Sequence, residues 1–318
     1  MAKILISGKI PTIGYQMLEG HDIEIYESDE VITSEELARR IVDKDALLCP
    51  LSSPVTKEVI ENAGNLKIIA NFGAGFDNIN LAAAKERSIV VTNTPAVSTD
   101  ATAELTLGIL IAISRRIVEG DALCRTVGFK GWAPLFFLGR ELTNKKLGII
   151  GLGKIGQGVA KRARAFGMEI FYTGPRRKNP QIEQELQATY VSMDELLRES
   201  DYITIHSPYR AETHHLIKAE QFEQMKQDAF LINASRGPVV KEDDLVQALK
   251  AKTIAGAALD VFEFEPTITE ELKQLDNVVL TPHIGNATVE TRDAMAEIAV
   301  KNIVNVLEGK GAITPVSI

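Results

Sequence analysis

Cysteine is scarce in this chain, with two among 318 residues. Cys49 lies in "ALLCP" and Cys124 in "DALCR", without metal-ligand spacing, so two reduced thiols in a cytosolic protein are expected. Long hydrophobic runs are missing as well, and no apolar stretch reaches the ~18 residues of a membrane span. The opening "MAKILISGKI" alternates like a strand and has no signal-peptide core behind it, which favours the cytoplasm and no membrane partner. Positive charge is not in surplus: 35 Lys and Arg against 43 Asp and Glu give −8 at pH 7. That balance argues against nucleic acid or an anionic membrane as the main partner. Repeats and low-complexity tracts are also wanting. What is there, 45% hydrophobic and 25% charged residues, suits a globular protein long enough for two cores.

Two periodicities then alternate. "KILIS", "DIEIYE", "ALLCP", "KIIANF" and "SIVVTN" are short, β-branched-rich runs. Between them lie helical patterns such as "TSEELARRIVDK", where Thr33 and Glu36 have capping-box spacing. Such alternation implies a parallel sheet covered on both faces. "STDATAELTLGILIAISRRIVEG" reads as one long helix, with Ser98, Thr99 and Asp100 as N-cap candidates and Gly120 at its end. The alternation restarts at "KKLGIIGLG" and continues through "EIFYTG", "DYITIH", "AFLINASRG", "TIAGAALDVF" and "NVVLTPH". A last amphipathic helix, "TVETRDAMAEIAVKNIVNVLEGK", is closed by Gly309. The expected fold is therefore α/β, with two Rossmann- or flavodoxin-like parallel-sheet domains. One domain, 99–286, is inserted into the other, formed by 1–98 and 287–318.

The stretch "GLGKIG" places Gly151, Gly153 and Gly156 in G-x-G-x-x-G spacing, after a strand pattern and before a helix pattern. The first glycine permits a tight turn, the second lets backbone approach a pyrophosphate, and the third lets the helix pack on the strand. An acid is missing further on. About twenty residues after the glycines, a NAD-binding unit usually offers Asp or Glu to the adenosine ribose. Here "YTGPRRK" has Gly174 at that place, followed by Arg176 and Arg177. The planar fork of arginine suits a phosphate, so NADP is the expected cofactor and NAD the less favoured one.

Three charged residues follow three strand patterns: Arg236 after "AFLINAS", Glu265 beyond "IAGAALDVF" and His283 after "NVVLTP". Ligands of open parallel sheets bind at the carboxyl ends of strands, so these residues can converge on a nicotinamide. Taken singly, each has a plainer role as loop anchor, solvated acid or turn cap; their joint placement decides for a site. His206, ending "YITIH", is a candidate for the cofactor site. His21, His214 and His215 are read as surface residues.

These residues lie in stretches that resemble the D-isomer-specific 2-hydroxyacid dehydrogenases over essentially the whole chain. "NFGAGFDNIN", "GLGKIGQGVAKRARAFGM", "HSPYRAETHHLI", "NASRGPVV", "ALDVFEFEP" and "TPHIGNAT" occur in the family's order. "GWAPLFFLGREL" is most similar to the glyoxylate and hydroxypyruvate reductase branch. The resemblance implies reduction of a small 2-oxo acid to the D-2-hydroxy acid by hydride from a nicotinamide, with no metal. It implies Arg236, Glu265 and His283 as the catalytic trio. The cofactor is expected to be lined by Gly151, Gly153, Lys154, Ile155, Gly156, Arg176, Arg177, His206, Pro208, Thr213, Ala234, Asp260 and Gly285, and the resemblance implies that Asp260 orients the nicotinamide carboxamide. Gly73, Ala74 and Gly75 would hold the substrate carboxylate by backbone amides, beside Leu51, Ser52, Arg236 and His283. Trp132 would reach into a neighbouring subunit's site, which implies a homodimer through the nucleotide-binding domain. Asn286 stands where Ser is usual and leaves the trio intact. Phosphoglycerate dehydrogenase is the alternative within the class, set back because the sequence ends at Ile318 without a regulatory domain. A dinucleotide-sensing, corepressor-like scaffold is the alternative of another class, set back by the lack of long polar tails.

Overall fold

The β-branched runs form twelve strands in the computed structural model, which describes residues 1–317. The chain separates into two compact units, Met1–Ser98 with the segment from Asn286 onward, and Thr99–Gly285.

In the first unit, β1 (Lys3–Ile6), β2 (Asp22–Ile25), β3 (Ala46–Pro50), β4 (Ile68–Phe72) and β5 (Val90–Thr92) form one sheet. Its order is β2-β1-β3-β4-β5 and every pair is parallel. Covered on both faces, β3 and β4 are apolar along almost their whole length instead of alternating. Thr33 caps the helix Ser34–Arg40 by accepting the Glu36 amide at 3.2 Å. The helix Val289–Leu307 packs Met295, Ala299, Val300 and Ile303 against Ile4, Ile68 and Ala70. Residues far apart in sequence therefore build one core. That helix ends as its glycine foretells: Gly309 has φ 76, and the Lys310 amide donates to Asn305 O at 2.8 Å.

The second unit holds β6 (Lys146–Ile150), β7 (Glu169–Thr173), β8 (Ala188–Tyr190), β9 (Tyr202–Ile205), β10 (Phe230–Asn233), β11 (Gly256–Leu259) and β12 (Val278–Leu280). They lie in the order β12-β11-β10-β9-β6-β7-β8, again all parallel. The order reverses at β6, which has β7 on one side and β9 on the other. Such a switch point is where doubly wound sheets take their ligands. Leu107, Leu110, Val159 and Ala163 cover one face of the sheet, and Leu196, Phe222, Leu245 and Leu249 cover the other.

Two details depart from the sequence reading. The edge strand β8 has three residues, too few to show a period. The expected long helix is two helices, Thr99–Ser114 and Ile117–Arg125, with Arg116 between them at φ 55. Ser114 Oγ donates back to Leu110 O at 2.5 Å, and the Ser114 carbonyl accepts the Arg140 amide at 2.8 Å. With that carbonyl diverted, the helix stops, and Gly120 falls inside the second helix. Among the described residues, no helix is long and apolar enough to cross a membrane.

Candidate active site

The glycine loop leaves β6 at its carboxyl end. Gly151 has φ 96, and a Cβ there would stand 2.8 Å from the His206 carbonyl carbon and 2.9 Å from the Ser207 nitrogen. Glycine is therefore required twice over, by conformation and by close approach. The helix Lys154–Ala165 follows with no side-chain cap at Gly153, and a Cβ at Gly153 would meet nothing within 4 Å. The first-turn amides of Lys154, Ile155 and Gly156 are thus left without a side-chain cap, which is the chemistry of an anion site. Beside them, His206 Nδ1 and Ser207 Oγ are buried without a hydrogen-bond partner among the described residues. Burial depresses His206 to about 4, so its ring is neutral near pH 7, with Nε2 2.9 Å from Thr204 Oγ1. Pro208 and Thr213 are joined by a 2.8 Å bond from the threonine hydroxyl to the proline carbonyl, and Ala234 lies just past β10. A cradle with unused donors and orphaned polar atoms fits a dinucleotide pyrophosphate.

The loop after β7 has a fixed shape. Tyr190 Oη donates to Gly174 O at 3.1 Å, and the Lys178 amide donates to Tyr172 Oη at 2.8 Å. Tyr172 Oη in turn donates to Glu183 Oε1 at 2.5 Å. Arg177 gives Nε and Nη2 to the two oxygens of Glu183, each at 2.9 Å, and that pairing, before the tyrosine, holds Glu183 below its ordinary value. Arg176 is exposed and makes no ion pair among the described residues. The two arginines are therefore separated, one committed to an acid and one open. Sequence reasoning missed Glu183, whose only signal was an acid in the next helical pattern.

The trio lies on neighbouring turns of this unit. Asn233, 1% exposed, accepts the amide and hydroxyl of Ser235 and donates to Arg236 O at 3.0 Å, shaping the turn after β10. A Cβ on Gly237 would run into the backbone of Phe262 and Glu263. Glycine thus lets the Arg236 turn lie against the turn that carries Glu265. Glu265 Oε1 accepts the Phe262 amide at 2.9 Å, and Oε2 stands 2.8 Å from His283 Nδ1. Burial alone would raise the Glu265 carboxyl. The His283 bond and charge, the Phe262 amide and the Arg236 charge outweigh it and leave Glu265 below its ordinary value. His283 has φ 52, an uncommon backbone for a residue with a side chain. Asp260, 1% exposed, holds that segment by accepting Thr281 Oγ1 at 2.6 Å and the Ile284 and Gly285 amides at 2.8 Å. Burial keeps the Asp260 carboxyl above its ordinary value despite those bonds. His214 is exposed, but His215, expected at the surface, is half-buried with Nε2 2.5 Å from Glu263 Oε1.

In the first unit, the loop after β4 has its carbonyls taken. Gly73 O accepts the Thr94 amide at 2.9 Å, Ala74 O accepts Asn93 Nδ2 at 2.7 Å, and Gly75 O accepts Asn71 Nδ2 at 2.5 Å. The side chain of Leu51 covers the Cα of Gly73, and Ser52 is exposed beside it. Trp132, on the second unit, is 87% exposed, in a segment that also exposes Val127, Phe129, Leu135 and Leu138.

Residues 107–285 match the family model described as D-isomer specific 2-hydroxyacid dehydrogenase, NAD binding domain. A Staphylococcus aureus (strain MRSA252) relative that carries the 2-hydroxyacid dehydrogenase name is 54% identical over 311 residues, 98% of each chain. A protein from Thermus thermophilus superposes with a TM-score of 0.93 at 39% identity, covering 99% of this chain and 100% of that one. An NADPH-dependent glyoxylate/hydroxypyruvate reductase from Sinorhizobium meliloti, crystallised with NADP and malonate, gives 0.85 at 30% identity, covering 99% and 97%. With its switch-point glycine cradle and its matched length, the chain belongs to the D-isomer-specific 2-hydroxyacid dehydrogenase family of oxidoreductases.

Proposed function

We propose that the protein reduces a small 2-oxo acid of the glyoxylate or hydroxypyruvate kind to the D-2-hydroxy acid, with NADPH as preferred cofactor. The observation that carries this reading is the 2.8 Å bond between His283 Nδ1 and Glu265 Oε2. It leaves the other ring nitrogen, Nε2, to give a proton to a substrate oxygen. When bound, the nicotinamide supplies the hydride. Arg236 pairs with the substrate carboxylate and draws charge onto the carbonyl oxygen. Glu265 holds the imidazole in place through Nδ1. Asp260 fixes the segment that carries His283, a task that accounts for both of its oxygens here. The Gly73–Gly75 amides offer a carboxylate site, which supports giving the first unit the substrate and the second the dinucleotide.

The open Arg176 supports a 2′-phosphate, and the S. meliloti reductase, named NADPH-dependent, is consistent with it. Arg177 supports the loop instead, through Glu183. The exposed apolar strip from Val127 to Leu138, including Trp132, supports a homodimer that covers it. A spectrophotometric panel of 2-oxo acids against NADPH and NADH tests the whole reading. Absence of turnover with every small 2-oxo acid would leave the scaffold alternative in its place.

A further inference from the structure

Three segments of the second unit meet at a residue that the chemistry above does not use. The His215 backbone lies in the left-handed region at φ 50, uncommon outside glycine. From there its amide donates to Pro238 O at 2.9 Å, two residues beyond Arg236. Its ring Nε2 reaches Glu263 Oε1 at 2.5 Å, two residues before Glu265. The other Glu263 oxygen accepts the Glu242 amide at 2.8 Å, and the Glu242 carboxylate accepts the Glu263 amide at 2.9 Å. Glu242 is 3% exposed, so two carboxylates stand together largely out of water, a costly arrangement unless donors satisfy them. Lys241 is engaged with Asp244 at 2.9 Å, and His214 stacks on the His215 ring at 3.8 Å while its own Nδ1 faces Tyr209 Oη. His215 thus brings a side-chain nitrogen to this acid pair.

We infer that His215 is a positioning residue of the reduction. Through Pro238 and Glu263 it braces the Arg236 turn against the Glu265 turn, and so sets the Glu265–His283 pair. The inference rests on the trio reading proposed above.

His215→Phe removes the donor and keeps a ring against His214, whereas His215→Gln keeps an N–H. The phenylalanine variant is expected to lose roughly ten- to hundredfold in kcat, the scale of a small misalignment, with NADPH affinity unchanged. Its reduction profile against pH should change shape, because a displaced Glu265 no longer holds the His283 ring. Hydrogen exchange of amides 262–265, followed by mass spectrometry, should quicken in the phenylalanine variant and stay slow in the glutamine one, a readout that needs no turnover. Wild-type profile and exchange in His215→Phe would overturn the inference. So would a loss equal at every pH that His215→Gln does not restore. His283→Ala run alongside separates the two failures. If it remains active, the trio reading fails; if it is inactive while the His215→Phe profile stays in place, the bracing role alone fails.

Discussion

Glu183 closes on Arg177 through two parallel hydrogen bonds of 2.9 Å, with the arginine 67% exposed and the acid 11% exposed. The acid missing from the end of β7 therefore arrives from the following helix, Pro180–Leu186, and it is spent on an arginine rather than left for a ribose.

Cofactor choice should follow that division of labour. Charge-assisted hydrogen bonds contribute about 1.5–3 kcal/mol each, so Arg176→Ala should weaken NADPH roughly 10–100-fold and spare NADH. Arg177→Ala should change the NADPH to NADH ratio little, because its fork is already filled. Gly174→Asp should turn the preference toward NADH by restoring an acid that repels a 2′-phosphate. Steady-state kcat/KM with both cofactors, and binding of adenosine 2′,5′-bisphosphate against 5′-AMP, decide it. Equal effects of Arg176→Ala and Arg177→Ala would undo the separation.

The trio is tested by the direction of its pH response. His283→Ala should lower kcat by roughly 10²–10⁴-fold, the scale of general acid catalysis. Glu265→Gln should lower kcat and change the reduction profile against pH, since the His283 ring loses its carboxylate partner. Stability has its own sign. The Glu265 carboxyl is lowered in the folded protein, so its contribution is present above the unfolded glutamate pKa and lost as pH falls through the lowered folded value. Urea midpoints of Glu265→Gln should accordingly differ from wild type at pH 7 and converge in acid. Convergence at high pH would contradict the assignment.

Both sheets, the glycine cradle and the turns bearing Arg236, Glu265 and His283 could be read from periodicity and from motifs at strand ends. Local pattern carries that information because strands and their following turns are local objects. Two failures have a common cause. Whether Arg177 is open depends on Glu183 across a helix start, and whether His215 is a surface residue depends on Glu263, 48 residues away. Spacing does not reveal such partners. The break at Arg116 was hidden for the same reason, since the amide that takes the Ser114 carbonyl belongs to Arg140.

Association should depend on the exposed strip. Leu135 is 84% and Trp132 87% exposed, and a patch of that kind on an isolated chain usually marks an interface. Leu135→Asp should shift sedimentation toward monomer, with dissociation growing on dilution. Trp132→Ala should raise KM for the 2-oxo acid without changing NADPH affinity, if the indole reaches a neighbour's site. A wild-type chain that sediments as a monomer at all concentrations would remove this proposal.

His206 gives the last test, independent of turnover. Burial takes its pKa from 6.5 to about 4, so between those values the unfolded chain binds a proton that the folded one refuses. Stability must then fall as pH drops below 6.5, and the loss is complete once the folded ring also titrates, near pH 4. At 1.36 kcal/mol per unit, the full loss is about 3 kcal/mol, less whatever solvent reaches the half-buried ring. His206→Asn keeps a polar side chain and cannot titrate, so its urea midpoint should fall less steeply over the same range. The other acids act alike in both proteins, and the difference between the two slopes isolates the histidine. Dinucleotide binding should matter as well. A ligand that binds only the folded chain raises both midpoints, and one that needs a neutral His206 should bind wild type more weakly toward pH 4 than it binds His206→Asn. Parallel midpoints from pH 7 to 4 would mean that the ring is solvated, and that the orphaned Nδ1 finds water rather than cofactor.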